Sequence, residues 1–123
     1  MIIGIGTDII EIRRVEKAIL QKHFCDKVFS AAEQEYCNSR GKQGMASYAG
    51  RWAAKEAVGK AMGCGLAGGK LNELEILPAE NGRPFVKISE SWQKQIPERA
   101  EIFISISHSK EYAIAECIIE IEK

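Results

Sequence analysis

The sequence has no surplus of charge of either sign: seventeen Lys and Arg balance seventeen Asp and Glu among 123 residues. A protein that grips nucleic acid by its phosphates shows a basic excess, so that class is disfavoured, and electrostatic recognition has to come from a local patch. Long apolar runs are also missing. Nothing approaches the ~18 residues of a membrane-crossing helix. The start, Met1-Ile2-Ile3-Gly4-Ile5, has no basic leader and meets Asp8 and Glu11 before a signal-type apolar segment is complete. Cysteine occurs four times but never as Cys-x-x-Cys. Cys25, Cys37, Cys64 and Cys117 therefore argue against zinc and read as reduced, partly buried thiols of a cytoplasmic protein. Internal repeats and low-complexity tracts are absent. The balance of 46% hydrophobic and 28% charged residues is that of one soluble domain spanning 1–123 with a single core.

Patterning along the chain predicts a mixed α+β domain. Residues 2–10 are isoleucine-rich and short enough for a buried strand, and Gly4 and Gly6 within them imply close approach by another backbone. From Glu11 the period changes: Ile12, Val15 and Ile19 recur at helical spacing, with Arg13, Arg14 and Lys17 on other sides. Ser30-Ala31-Ala32-Glu33 fits a capping box opening a short helix to about Tyr36. After a basic loop over 39–44, residues 45–62 are proline-free and rich in Ala, Lys and Glu, a long helix closed by Gly63. A glycine-rich loop follows over 63–70. Strands over 73–77 and 84–88 flank the turn Asn81-Gly82, and a short helix is expected over 89–95. Strands over 102–107 and 112–121 form a second hairpin, with Ala113, Ala115, Cys117, Ile119 and Ile121 on one face.

Taken singly, the candidate chemical groups are ambiguous. Gly63-Cys64-Gly65-Leu66-Ala67-Gly68 matches G-x-G-x-x-G, but it closes a helix instead of opening one, so no dinucleotide fold follows. Ser107-His108-Ser109 lacks the elbow of a serine hydrolase and by itself reads as a satisfied turn histidine. Asp8, at a strand end, is a helix cap or a metal ligand. Trp52, Glu56 and Lys60 share a helix face, where Glu56 and Lys60 would also suit an ordinary exposed ion pair. Arg51 and Lys55 form an adjacent row, either a solvated stripe or a phosphate-binding edge.

In combination these segments resemble the phosphopantetheinyl transferases. Gly4-Ile5-Gly6-Thr7-Asp8-Ile9 is similar to their Gly-x-Asp signature, 52–60 (WAAKEAVGK) to W-x-x-K-E-A-x-x-K, and Ile106-Ser107-His108-Ser109 to I-S-H-S. Phe29 with Glu33, Gly63-Cys64-Gly65 and Asn81-Gly82-Arg83-Pro84 resemble the short bacterial branch. The resemblance implies an antiparallel sheet packed on a long helix, assembled as a homotrimer. It implies transfer of phosphopantetheine from coenzyme A to a serine of apo acyl carrier protein, releasing adenosine 3',5'-bisphosphate and supporting fatty acid biosynthesis. Asp8 and Glu56 would hold magnesium, and Lys60 would stabilise the leaving group; the base would be Glu56 or a water. Arg51, Lys55, Gly63, Gly65, Pro84, His108 and Ser109 would contact the coenzyme, with His108 supplied by a neighbouring subunit. Arg14, with Arg13 and Lys17, would dock an acidic carrier protein. No nucleic acid or membrane partner is implied. The rival classes are a non-catalytic coenzyme-binding module and a structural trimerisation domain.

Overall fold

In the computed structural model, which describes residues 1–122, the isoleucine-rich start forms strand β1, Ile2–Glu11. It pairs antiparallel with β5, Tyr112–Glu120, which pairs on its other side with β4, Glu101–His108. The three-stranded order is β1-β5-β4, and β2, Leu74–Pro78, with β3, Pro84–Ile88, makes a separate two-stranded sheet. Between β1 and β2 run α1 (Ile12–Ala18), α2 (Lys22–Val28), α3 (Ala31–Asn38) and the long α4 (Gly44–Met62); α5 (Glu90–Gln93) follows β3.

Strand alternation divides the large sheet into two unlike faces. Inward, Ala115, Cys117 and Ile119 of β5 meet Ala53, Ala54, Ala57 and Val58 of α4. Small residues on both surfaces bring helix and sheet close. Gly4 and Gly6 bring them closer still, because a Cβ at either position would stand 2.0 Å from the carbonyl oxygen of Ala61 or Ala57. The close approach expected at these glycines is therefore β1 lying on the α4 backbone. Outward, β1, β5 and β4 present cross-strand rows: Ile9-Ile114-Ser107, then Thr7-Glu116-Ser105, then Ile5-Ile118-Phe103. This face is open: Ile5 is 72% exposed and Ile9 62%.

Local signals in the sequence account for most boundaries. Gly63 adopts φ +83°, the left-handed conformation that closes α4. The Ser30–Glu33 capping box forms completely, with Glu33 N donating to Ser30 Oγ and Ser30 N donating to Glu33 Oε1. α2 had no predicted counterpart. Its N-cap position, Gln21, makes no side-chain cap, and it is held by burying Cys25 and Val28.

Candidate active site

Asp8 lies inside β1, opposite Ala115, four residues before α1 begins at Ile12. It caps no helix; that place falls to Glu11, which makes no side-chain cap. Because Gly4 and Gly6 seat β1 on α4, Asp8 reaches the last turns of that helix. Lys60 Nζ donates to Asp8 Oδ1 at 3.2 Å and to Thr7 O at 2.9 Å. The expected helical ion pair of Glu56 with Lys60 is thus replaced by a cross-element contact to Asp8. The second Asp8 oxygen, Oδ2, is completely buried and has no hydrogen-bond partner. Burial raises the Glu56 carboxyl above the usual range, helped by the adjoining Asp8 carboxyl, while Trp52 and Lys60 act in the opposite direction. Two neighbouring carboxyls, one with an orphaned buried oxygen, form a hard-oxygen donor pair that fits a small divalent cation whose remaining ligands come from phosphate and water. Among the described residues there is no group of three or more His, Cys, Asp or Glu that could hold a metal by itself.

A second polar site lies elsewhere on α4. A pocket of about 160 Å³ is lined by Tyr36, Arg40, Ser47, Arg51, Pro84 and His108, among others. The Arg51 guanidinium sits 4.5 Å from the Tyr36 ring centre, and its Nε is buried without a partner. Arg40 lies over the same ring at 5.5 Å. Two guanidiniums and an imidazole around one small cavity offer donors and charge that suit an anion. Arg51 and Glu56 are five residues apart, which places them roughly 140° apart around the helix. One chain therefore holds these two sites on different sides of α4.

Two expected coenzyme contacts are otherwise engaged. Lys55 is 1% exposed, and its ammonium donates to Glu33 Oε1 at 2.8 Å, Leu71 O at 2.7 Å and Leu74 O at 2.6 Å. Burial pulls Lys55 below the ordinary lysine range, opposed by Glu33. With three internal acceptors it is an anchor for β2, and it does not form the exposed row with Arg51 that its spacing suggested. Ser109 holds the β4–β5 turn, its Oγ accepting from the backbone N–H groups of Glu111 and Tyr112. Ser107 projects from the outer sheet face, and alternation along β4 turns His108 the other way, so the Ser-His-Ser run is no catalytic cluster. Gly63 and Gly65 sit at the end of α4. Gly65 O packs so closely on Gly59 that a Cβ there would lie 2.1 Å away.

The predicted basic helix forms as α1, with Arg13, Arg14 and Lys17 exposed and Ile12 and Val15 buried. Beside it lies an unpredicted groove of about 230 Å³ lined by Ile10, Arg14, Val15, Ala18, Phe24 and Trp52. Phe24, whose ring stacks on Trp52 at 5.0 Å, comes from the unforeseen α2.

The family model described as the 4'-phosphopantetheinyl transferase superfamily matches residues 4–117. A holo-(acyl-carrier-protein) synthase from Fusobacterium nucleatum is 47% identical over 122 residues, covering 97% of this chain and 99% of its own. One from Clostridium botulinum is 46% identical over 123 residues, covering 98% and 99%. The crystal structure of a Bacillus anthracis holo-(acyl-carrier-protein) synthase in complex with CoA (3',5'-ADP) superposes with a TM-score of 0.83 at 33% identity, covering 99% of each chain. The chain belongs to the 4'-phosphopantetheinyl transferase superfamily and, within it, to the holo-(acyl-carrier-protein) synthase enzymes.

Proposed function

We propose that the chain transfers the 4'-phosphopantetheine group of coenzyme A to a serine hydroxyl of apo acyl carrier protein, with magnesium held by Asp8 and Glu56. The observation that carries this reading is the orphaned, buried Asp8 Oδ2 beside Glu56 and Lys60, an acidic pair with a cation at its edge. Magnesium bound there supplies polarisation of a phosphoryl oxygen and neutralises charge that develops during transfer. The serine oxygen forms a bond to the phosphorus next to pantetheine, and the bond to the bridging pyrophosphate oxygen breaks. Lys60, 55% exposed along its side chain, is free to turn from Asp8 to the oxygen that leaves as adenosine 3',5'-bisphosphate. The serine proton passes to Glu56 or to a water beside it. Catalysis is then chiefly positioning and charge stabilisation.

Arg51, Arg40 and His108, walled by Pro84, suit the nucleotide phosphates. Their placement around α4 from Asp8 and Glu56 supports the reading that one coenzyme spans two copies of the chain, taking the acidic pair from one and the basic pocket from the other. The outer sheet face supports the same assembly. Three strands of about nine residues present roughly 14 Å by 30 Å, or about 400 Å², on which apolar rows containing the exposed Ile5, Ile9 and Ile114 flank one polar row. We assign the carrier protein to α1 and its groove, where Arg14 stands next to apolar lining and the approach to Asp8 is short. A cytoplasmic site of action in fatty acid synthesis agrees with four free thiols.

The test is incubation with coenzyme A, magnesium and an apo carrier protein, read by intact mass. Gain of one phosphopantetheine on the carrier, lost when magnesium is chelated, is expected. An unchanged carrier with the coenzyme still bound would leave only a binding module.

A further inference from the structure

The outward sheet face holds a polar row that the transfer reaction does not use. Glu116 sits on the central strand β5, between Thr7 of β1 and Ser105 of β4, with apolar rows on both sides of it. A recess of about 200 Å³ lined by Ser105, Ser107, Ile114 and Glu116 marks the same place. The other ionisable groups projecting from this face are Glu11 and Tyr112 at one end and Glu101 and Glu120 at the other. Among the outward residues of these three strands there is no Lys, Arg or His. Thr7 Oγ1 already donates to Ala115 O at 3.2 Å, so in this row Ser105 alone has a hydroxyl proton to spare for the carboxylate.

We infer that Glu116 makes the association of copies through this face proton-linked, tighter as pH falls. The inference rests on the proposed assembly and deepens it. A second copy is the occupant because the two halves of the site lie on different sides of α4 and need a neighbour, and because an acidic-only face repels an acidic carrier protein. Packing the apolar rows against copies of themselves brings the central Glu116 into a dry, symmetric contact where its equivalents are near and the packed faces supply no cation. A carboxylate there has one hydroxyl donor, Ser105, and no countercharge on its own face, so the neutral form is favoured in the assembly. A free glutamate titrates near ~4.3. Assembly therefore takes up protons in the interval above that value, and each proton taken up per assembly changes the association constant tenfold per pH unit. A protonated Glu116 donates to a carboxylate of its neighbour or to the Thr7 oxygen.

Sedimentation equilibrium of the full chain over a concentration series from pH 5.5 to 8.5 tests this, with Glu116→Gln and Ile5→Lys run in parallel and far-UV circular dichroism confirming that each is folded. The expected result is a wild-type midpoint concentration that rises at least tenfold between pH 6 and 8. The Glu116→Gln midpoint should stay flat within twofold and lie below wild type at pH 8, while Ile5→Lys is monomeric. Association that Ile5→Lys abolishes but that is independent of pH, or equally dependent on pH in Glu116→Gln, overturns the proton link and leaves the assembly standing. Association that tightens as pH rises does the same, since it means a cation is held between carboxylates. A folded chain that is monomeric at every concentration, or an Ile5→Lys variant that still associates, overturns the assembly through this face together with the inference.

Discussion

Lys55→Met separates an internal anchor from a coenzyme ligand. In the structure the Lys55 ammonium is shared by Glu33 and two carbonyls, and Glu33 in turn accepts from Ser30 N and Ile76 N. Methionine fills much of the same space but leaves the 0% exposed Glu33 carboxylate without its countercharge. Breaking one partner out of a buried pair costs about 3–5 kcal/mol, set against a total of about 5–15 kcal/mol for a domain of this kind. With a urea slope near ~1.5 kcal/mol per molar, the unfolding midpoint should fall by roughly 2–3 M. Urea titration followed by tryptophan fluorescence reads this directly, since Trp92 is fully buried. Adding Glu33→Gln to Lys55→Met should restore part of the loss, because the stranded charge is gone. A midpoint shift under ~0.5 M, accompanied by weakened coenzyme A binding, would mean that the ammonium reaches a ligand and that the internal network does not hold it.

Glu56→Gln should lower transfer by orders of magnitude in the carrier mass assay while changing urea stability by less than ~1 kcal/mol; near-wild-type turnover at ordinary magnesium would remove Glu56 from the site. Asp8→Ala and His108→Ala should each be inactive alone, and mixing them with subunit exchange should recover part of the activity, because some interfaces then join two intact halves. No recovery after verified exchange would place both halves of a site in one chain. Arg14→Glu should raise the Michaelis constant for carrier protein at least tenfold with coenzyme A binding unchanged, an effect that salt diminishes; unaltered carrier kinetics would place docking elsewhere. Burial pushes the Cys37 and Cys117 thiols up to about 12 and raises Cys25, aided there by Asp26. At pH 8 a thiol reagent should therefore react rapidly only with the half-buried Cys64 in the native protein and with all four thiols in urea; fast loss of a second native thiol would contradict the packing around α4.

What could be read from the sequence was whatever depends on neighbours along the chain. The capping box at Ser30, the stop at Gly63, the Asn81-Gly82 turn and the alternation of β5 all act over a few residues, and each forms. α2 was missed because it has no capping signal and exists by burying Cys25 and Val28 against other elements. The same limit separates Glu56 from Lys55. Adjacent in a motif, they point to different sides of α4, and only the placement of Glu33 and the Leu71 and Leu74 carbonyls decides that Lys55 is internal. The partner of Lys60 was equally out of reach, because helical spacing offers Glu56 while the fold brings in Asp8 from the first strand.

The seating of β1 on α4 has a consequence for how the acidic pair can vary. Gly4 and Gly6 rest on the carbonyls of Ala61 and Ala57, so the gap between strand and helix is fixed by main chain touching main chain. Side-chain packing adjusts through rotamers, whereas a backbone contact has none to adjust. The spacing of Asp8 from Glu56 and Lys60 is thus set by a rigid stop that substitutions in the alanine and isoleucine layers cannot retune. Sequence drift in this core can soften the domain as a whole while the distance between the strand's carboxylate and the helix stays the same.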